Sequence, residues 1–464
     1  MEVNMKNEEA MSKLGTEKIN KLMLTMGIPM ILSMVLQAVY NIVDSAFVSN
    51  MRENGEMALN ALTLAFPIQM LMVAVGVGTG VGVNALLAKS LGQGNQKKAC
   101  KVAGNSMFLG AVIYVVFLIF GFVGVHGYIC SQTRNPLVID MASDYLGICC
   151  VFSLGIIFFS ISEKLLQATG RSHLSTIAQI SGALTNIVLD PIFIYGWGVP
   201  EMGARGAAIA TVIGQIVSMV VAIFFHLKYN KEIENGLRYM KPDGKVIKEI
   251  YSIGLPAIIA QALMVVMTYG LNIILGRVSE SAVTAYGLYY KIQQFLLFAA
   301  FGLRDVITPV VSFNHGMGSK KRVKEGIKCG MLYTLIIMAV GLIVLEIFAA
   351  PFASIFGLSG ETEALCVSAI HIISISFVFA GMNVAFQGVF QALDSGVKSL
   401  VLSVCRQFLF VLPVAWFLSL PAFHAPEKIW YVWLTFPIAE VVTAIIGCGF
   451  MKKIKRNKID VLEG

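Results

Sequence analysis

Charged side chains are scarce in this sequence. They make up 13% of the 464 residues, while 57% of the residues are hydrophobic and the mean hydropathy is +0.76. Soluble domains carry about 25% charged residues, so the composition excludes a soluble globular protein and indicates a polytopic membrane protein. The net charge of +8 comes from basic residues in short segments between apolar runs. We attribute it to membrane topology and expect no nucleic-acid partner.

Motifs of soluble chemistry are also missing. No GxxxxGK[ST] motif occurs, which argues against direct ATP hydrolysis, and the glycine-rich run GVGTGVG at 76–82 lies inside an apolar segment. The eight cysteines are scattered without the paired spacing of zinc sites. We therefore predict no enzyme activity, no cofactor and no resident metal. The first twenty residues are polar, so we expect no signal peptide and a cytoplasmic amino terminus.

Long apolar runs dominate the rest of the chain. A helix needs about 20 residues to cross ~30 Å of hydrocarbon, and twelve runs have that length. The predicted fold is an all-α polytopic membrane protein with twelve transmembrane helices in two pseudo-symmetric six-helix lobes. The twelve predicted spans, numbered 1 to 12, lie near 20–48, 58–83, 102–125, 138–162, 173–197, 204–227, 250–276, 282–311, 328–350, 364–390, 398–420 and 429–451.

The basic residues test this division independently, because cytoplasmic segments of membrane proteins are enriched in Lys and Arg. The termini and alternate connections hold 27 Lys and Arg residues, whereas the opposite connections hold five. We therefore predict an even number of spans and a cytoplasmic location for both termini. Lys164 and Arg171 are predicted to lie in one of these basic connections.

An internal repeat divides the chain into two halves. Gly27-Ile28-Pro29 opens span 1 and Gly254-Leu255-Pro256 opens span 7, and Gln69 and Gly78 recur 224 positions later as Gln293 and Gly302. Such repeats are typical of transporters with a substrate site between lobes. The predicted domains are an amino-terminal tail, a first lobe, a cytoplasmic linker, a second lobe and a carboxyl-terminal tail, at 1–19, 20–228, 229–249, 250–451 and 452–464.

One carboxylate, Asp44, interrupts the first apolar run. An ionisable residue in a span costs ~2.5–3.5 kcal/mol on insertion scales, so it is a functional candidate. Asn186 and Asp190 lie one turn apart on span 5, and Thr211 follows on span 6. Counting ~1.5 Å per residue brings these side chains together in the outer half of the membrane, with Asn186 a turn deeper. Such oxygens suit a monovalent cation or a shared proton; alternatively, Asp44 and Asp190 cap helices or face interfacial water.

Further polar residues lie within other spans. Lys291, Arg406 and Glu440 are intramembrane charges, and each needs a partner or a water-filled cavity. For Arg406 and Glu440 a structural ion pair or snorkelling competes with a charge network that neutralises a cation, and Arg304 with Asp305 is interpreted as an interfacial or gating pair. Candidate substrate-path residues are Gln37, Tyr40, Asn41, Gln261, Tyr269 and Lys291, and candidate helix-bending residues are Pro29, Pro191 and Pro256.

Several segments carry a family resemblance. The sequences NIVDSAFV, GVGTGVGVNALLAKSLGQGN, TNIVLDP, GARGAAIATVIGQ, GVFQALDSG and FPIAE follow one another over essentially the whole chain. Their order and spacing are similar to those of the multidrug and toxic compound extrusion (MATE) family, and within it most similar to the bacterial MepA-like group.

The resemblance implies an antiporter of the inner or plasma membrane that exports organic cations against an inward flow of Na⁺ or H⁺. In many members an Asp of the first helix, an Asn and an Asp of the fifth and a Thr of the sixth form a site, and Asp44, Asn186, Asp190 and Thr211 match those positions. The acids that some members carry in the seventh or tenth helix are absent here.

The function that we predict is a secondary-active multidrug efflux antiporter working by alternating access. Its expected partners are lipophilic or cationic small molecules and membrane lipid, and because the halves are duplicated we expect that a monomer suffices. The alternatives are a lipid-linked precursor flippase of the same superfamily, a channel or non-transporting membrane protein, and a membrane enzyme.

Overall fold

The computed structural model describes residues 13–51, 55–355 and 360–462. Within these ranges the regular structure is entirely helical. Ten helices are long and apolar enough to cross a membrane, and two pairs of shorter helices, each bent at a break, bring the number of spans to twelve. The predicted all-α fold is confirmed.

The first six spans follow the predicted runs with longer ends. Span 4 consists of two helices that meet at an angle of 44°, and a short helix, Val125–Cys130, precedes it. Spans 1 to 6 are Ile19–Ser49, Gly55–Gly92, Gln96–Val123, Pro136–Val151 with Leu154–Ala168, Ser172–Tyr195 and Gly203–Tyr229.

The second half repeats this pattern. Span 10 is bent by 55° at its break, and span 11 contains a π-helical turn, Cys405–Leu409, between two α-helices. Spans 7 to 12 are Gly244–Gly276, Glu280–Gly316, Lys320–Ile355, Gly360–Ser374 with Phe377–Ala392, Gly396–Val404 with Val411–Ser419, and Thr435–Ile454. The remaining turns are the 3₁₀ segments Leu237–Met240, Leu420–Phe423 and Pro426–Leu434 and the π-helical segment Lys455–Ile459.

The repeat is visible in the backbone as well as in the sequence. The two broken spans, 4 and 10, occupy equivalent places in their halves. Gly94 and Gly318, 224 residues apart, both follow the second helix of their half with φ values of +68° and +76°. Glycine adopts this left-handed conformation without steric cost, which explains the residue type at both turns.

Two compact units emerge from the contacts between residues. The first holds Ile28–Ile258 and the described residues before Lys18, and the second holds Lys18–Gly27 and the chain from Ile259 onward. The division therefore falls inside spans 1 and 7, beside Pro29 and within two residues of Pro256. In each of these two helices, the amino-terminal segment therefore belongs to one unit and the rest of the helix belongs to the other.

The segment between the halves packs against span 3. The Asn105 side chain donates hydrogen bonds to the carbonyl oxygens of Tyr239 and Lys241, at 3.2 and 3.3 Å, and accepts one from the Asp243 backbone N–H at 2.8 Å. A Cβ atom at Gly104 would lie 2.3 Å from the Tyr239 carbonyl oxygen. The absence of a side chain at this position lets the linker lie directly on the helix.

Several helices extend beyond the predicted bounds, and the end of span 4 is the one with a buried charge. Span 4 continues to Ala168, so Lys164, predicted to lie in a connection, lies in a helix and is 1% exposed. Its ammonium group donates to Gln167 at 2.8 Å, and Gln167 donates to Glu163 at 2.9 Å. Hydropathy places the end of the span too early because the polar residues satisfy one another within a single helical turn.

Candidate functional site

Spans 1 and 5 lie side by side and run in the same direction. Near their amino-terminal ends, the Thr176 hydroxyl donates to the Pro29 carbonyl oxygen at 2.9 Å and accepts from the Ser33 hydroxyl at 3.0 Å. Near their carboxyl-terminal ends, the Tyr195 hydroxyl donates to the Phe47 carbonyl oxygen at 2.8 Å. These contacts fix the register of the two helices along most of their length.

The register brings two carboxylates to the same level. Asp44 lies three residues before the Phe47 contact, and Asp190 lies five residues before Tyr195. Both are buried, with exposures of 9% and 0%. Two buried carboxyl groups therefore lie at one level of the first half.

Spans 5 and 6 approach each other at glycines. A Cβ atom at Gly182 would lie 2.3 Å from the Gly214 carbonyl oxygen, and one at Gly206 would lie 2.5 Å from the Phe193 carbonyl oxygen. Real Cβ atoms do not come so close to backbone atoms, so these glycines allow backbone-to-backbone packing at two points. The two antiparallel helices are thereby held in one register.

Thr211 lies between those two points. A Cβ atom at Gly214, three residues further along span 6, would lie 3.0 Å from the Asn186 Cβ atom. Thr211 consequently lies at the level of Asn186 and Asp190 on the neighbouring helix, and it is 6% exposed. Asn186 is 2% exposed and donates to one Asp190 carboxylate oxygen at 3.2 Å.

All four of these residues have a buried oxygen atom with no hydrogen-bond donor among the described side chains and backbone. The atoms are Asp44 Oδ1, Asn186 Oδ1, Asp190 Oδ2 and Thr211 Oγ1. Buried polar atoms without partners are uncommon in folded proteins, and each costs ~1–3 kcal/mol. We call these four residues the acidic cluster. Other buried oxygens without partners in the first half belong to neutral side chains, Asn84, Ser143, Ser153 and Ser162.

No protein cation compensates the acidic cluster within the described ranges. The ion pairs of the first half join Lys98 to Glu249, Lys101 to Asp243, Arg171 to Glu232 and Arg238 to Glu234, and none includes Asp44 or Asp190. Oxygen ligands of this kind suit a monovalent cation such as Na⁺, and a close pair of acids also suits a shared proton. The two buried acids of the cluster therefore have no positively charged protein partner among the described residues.

Metal sites of another kind are not found. The part of the chain that the structure describes contains no group of three or more His, Cys, Asp and Glu side chains able to hold a metal ion. All eight cysteines are free thiols, and five of them are buried.

The candidate substrate-path residues are dispersed. Gln37 is half-buried and accepts a hydrogen bond from Gln179 at 3.3 Å, Gln261 is half-buried, and Tyr269 and Lys291 are exposed. Tyr40 and Asn41 belong to the helix of span 1, but their side chains lie outside the described part of the molecule. The role of these residues stays a prediction.

The three candidate bending residues all lie inside helices. Span 1 continues through Pro29, span 5 through Pro191 and span 7 through Pro256. Proline has no N–H, so each removes one hydrogen bond from its helix. The Pro29 carbonyl oxygen accepts a hydrogen bond from the Thr176 hydroxyl of span 5.

The second half contains an ion pair that the sequence left open. Arg406 on the π-helical turn donates through Nε to Glu440 on span 12, and Asn383 on span 10 donates to the other Glu440 oxygen at 2.8 Å. Arg406 and Glu440 are 7% and 6% exposed. Of the three possibilities given by the sequence, a buried ion pair is therefore the observed arrangement and snorkelling is not, while the charge network that neutralises a cation stays a prediction.

A second pair joins neighbours on span 8. The Arg304 guanidinium donates two hydrogen bonds to one Asp305 oxygen, at 3.0 and 2.9 Å, and a Cβ atom at Gly388 would lie 2.9 Å from the Arg304 side chain. Asp305 is 3% exposed. These two residues contact each other as the sequence analysis expected, whereas their role at an interface or gate stays a prediction.

Comparison with known proteins identifies the family. The MatE family model matches residues 29–192 and 256–417, one segment in each half of the chain. The multidrug export protein MepA of Staphylococcus haemolyticus (strain JCSC1435) is 26% identical over 447 residues, covering 96% of this chain and 95% of that protein. The MepA protein of Staphylococcus aureus (strain NCTC 8325 / PS 47) is 24% identical over 459 residues, covering 96% and 97%.

Solved structures share the fold. An outward-facing multidrug resistance MATE family transporter of the MOP superfamily superimposes with a TM-score of 0.88, at 22% identity, covering 96% of this chain and 98% of that one. The matched family segments, the full-length relatives and this shared fold agree with the repeat and the twelve spans described above. The chain is a multi-pass membrane protein that belongs to the MatE family.

Proposed function

We propose that this protein is a secondary-active multidrug efflux antiporter, which exports lipophilic organic cations in exchange for Na⁺ or H⁺. The observation that carries the proposal is the acidic cluster. Each of its four residues has a buried oxygen without a donor among the described residues, two of these oxygens belong to carboxylates, and no Lys or Arg of the described residues pairs with these acids. A bound cation or proton supplies the missing charge.

Transport follows if the ion and the substrate favour different conformations. Loading of Na⁺ or H⁺ at Asp44 and Asp190 removes the repulsion between the carboxylates, which changes the packing of span 1 on span 5. Because a ligand shifts an equilibrium only by its differential affinity for the two states, the ion and the drug must prefer different states or compete for one. Alternating access requires no further chemistry, so no cofactor is part of the proposal.

The substrate class is proposed from the relatives and from composition. Both staphylococcal relatives are multidrug export proteins. The chain contains 23 Met and 29 Phe residues, and flexible thioethers and aromatic faces favour flat, lipophilic cations. We assign the protein to the cell membrane with both termini in the cytoplasm, on the distribution of basic residues.

Ethidium efflux from intact cells tests the proposal. Wild type, Asp44→Asn and Asp190→Asn are compared at equal expression, under an imposed Na⁺ gradient or an imposed pH gradient. We expect one gradient alone to drive the wild type and both variants to lose at least about tenfold in rate, the effect of removing one charged ligand. Asp144→Asn, an exposed acid of span 4, is the matched control and retains full efflux.

Two results contradict the proposal in different ways. Full efflux by both variants would remove the acidic cluster from the coupling mechanism. No efflux by the wild type would point to another substrate class, and a lipid-linked precursor would then be tested next.

A further inference from the structure

Span 3 has one face of exposed apolar side chains. The helix runs from Gln96 to Val123, and six of its large apolar side chains are between 44% and 80% exposed. They are Val112, Val115, Val116, Ile119, Phe122 and Val123. In a helix that crosses a membrane, exposed apolar side chains contact lipid. This side of span 3 is therefore its lipid-facing side.

The linker, residues 229–249, covers the same side of span 3 at its amino-terminal end. Because a helix has 3.6 residues per turn, Gly104 and Asn105 point in the same directions as Phe122 and Val123, which lie five turns further on. The backbone of the linker lies on Gly104 and forms three hydrogen bonds with the Asn105 side chain. The linker therefore lies between span 3 and the lipid, where the apolar part of the span begins.

The most exposed large apolar side chain of the described residues belongs to this linker. Leu237 is 85% exposed, and it opens the 3₁₀ segment Leu237–Met240. Two residues later, the Tyr239 carbonyl oxygen is the atom that lies closest to Gly104. Leu237 is therefore held at the edge of the lipid-facing side. An apolar side chain in such a place enters the boundary between lipid head groups and acyl chains.

The linker also carries positive charge that its own acids do not compensate. Each of its acids already forms an ion pair within the first half. The pairs are Glu232 with Arg171, Glu234 with Arg238, Asp243 with Lys101 and Glu249 with Lys98. Three exposed lysines follow the 3₁₀ segment, Lys241, Lys245 and Lys248. Their ammonium groups have no ion-pair or hydrogen-bond partner among the described residues.

Position and charge together decide which partner fits this surface. A soluble acidic partner compensates the lysines but offers no apolar phase to Leu237. A zwitterionic lipid accommodates Leu237 but brings no net negative charge. An anionic phospholipid supplies both, because its head group attracts basic residues near the membrane and its acyl chains accept apolar side chains.

We propose that the linker binds anionic phospholipids of the leaflet on its side of the membrane. Leu237 enters the boundary of the acyl chains, and Lys241, Lys245 and Lys248 bind the head groups. The surface lies wholly in the first half and includes no residue of the acidic cluster. It therefore does not depend on the proposed transport function.

Lipid binding to the purified full-length protein tests the proposal. Dissociation constants for dioleoylphosphatidylglycerol, which is anionic, and dioleoylphosphatidylcholine, which is zwitterionic, are measured by native mass spectrometry in detergent. Each basic residue near an anionic surface is equivalent to about a fivefold gain in affinity. We therefore expect the anionic lipid to bind at least about tenfold more tightly than the zwitterionic one. Equal affinity for the two lipids would overturn the proposal.

Two variants separate the head group from the acyl chains. Combined replacement of Lys241, Lys245 and Lys248 by Gln should cost at least about tenfold in affinity for the anionic lipid and leave the zwitterionic lipid unchanged. Leu237→Ser should weaken both lipids about fivefold or more, since full burial of a Leu side chain is equivalent to more than tenfold. All four side chains are exposed, so neither variant should lower the unfolding midpoint. Unchanged affinity in both variants would contradict the proposal.

A matched control removes three positive charges elsewhere. Combined replacement of Lys452, Lys453 and Lys455 by Gln changes exposed residues near the carboxyl terminus and should retain the affinity for the anionic lipid. An equal loss in the two triple variants would mean that net charge alone attracts the lipid, and the linker site would be wrong. Inorganic phosphate at millimolar concentration should not displace the lipid. Displacement would mean that the lysines bind a free anion instead.

One variant keeps this surface distinct from the proposed coupling site. Asp44→Asn should retain the affinity of the wild type for the anionic lipid. Loss of lipid binding in this variant would contradict the assignment to the linker. Loss of ethidium efflux alone concerns only the coupling site.

Discussion

The two halves of the chain share a repeat but differ in the charge at their polar centres. In the first half, Asp44 and Asp190 are buried without a Lys or Arg partner among the described residues. In the second half, the buried acid Glu440 is paired with Arg406. One centre lacks a cation and the other has a cation of its own.

The difference in charge gives the two polar centres different requirements. A buried acid without a partner depends on a charge from solution, and its state changes with ion or proton supply. A buried pair is compensated at all times and needs no charge from solution. This contrast supports the proposed assignment of ion coupling to the first half.

Breaking the pair gives the largest expected effect on stability. Arg406→Gln leaves Glu440 as a buried, uncompensated charge, which costs about 3–5 kcal/mol. The midpoint of thermal unfolding in detergent should fall by several degrees. The double variant Arg406→Gln with Glu440→Gln should recover most of the loss, and failure to recover would show that the two residues act independently.

Adding a side chain where spans 5 and 6 are in close contact should have a smaller effect on stability. Gly182→Ala places a Cβ atom 2.3 Å from the Gly214 carbonyl oxygen, so the helices must separate, at a typical cost of about 1–3 kcal/mol. We expect a lower unfolding midpoint together with slower ethidium efflux, because Thr211 moves away from Asn186 and Asp190. Gly449→Ala, which meets no atom within 4 Å, is the control and should change neither.

Neutralising an acid of the first half should change stability in the opposite direction. Asp190→Asn removes one of two repelling buried charges and keeps the shape of the side chain. In sodium-free buffer at alkaline pH the unfolding midpoint should rise, by about 1–3 °C. A fall as large as that of Arg406→Gln would mean that Asp190 has a positive partner, and the contrast between the halves would disappear.

The smallest effect concerns the linker. The hydrogen bond from Lys101 lowers the pKa of Asp243 below the usual value for an aspartate. An acid with a lowered pKa in the folded state stabilises the protein above its unfolded pKa, and this contribution is lost as the pH falls through the folded value. Asp243→Asn should therefore lower the unfolding midpoint slightly at pH 7, and this loss should shrink as the pH falls below the ordinary pKa of an aspartate; a loss that grows toward acidic pH would contradict this account.

Regular geometry made much of the fold predictable from sequence. A span is a long apolar run, and a helix advances by a fixed rise per residue. The twelve spans could therefore be located, and Asp44, Asp190 and Thr211 could be assigned similar depths. Close packing at Gly182 and Gly214 could not be foreseen, because it depends on which helix faces meet.

The choice between possible partners of a buried charge was beyond the same reasoning. An ion pair between Arg406 and Glu440 was one of three possibilities for these residues, but the π-helical turn that carries Arg406 has no sequence signal that we could use. Lys164 was assigned to a connection because hydropathy cannot register that Gln167 and Glu163 satisfy it inside the helix. The division of spans 1 and 7 between two contact units likewise depends on tertiary packing.

Ion movement caused by substrate tests the central claim most directly. Purified protein is reconstituted in liposomes that contain a fluorescent indicator for Na⁺ or for pH, and ethidium is supplied on one side. We predict that the wild type and Asp144→Asn move one of the two ions in response, whereas Asp44→Asn and Asp190→Asn move neither. Ion movement of wild-type size in both Asp44→Asn and Asp190→Asn would contradict the assignment of coupling to the acidic cluster.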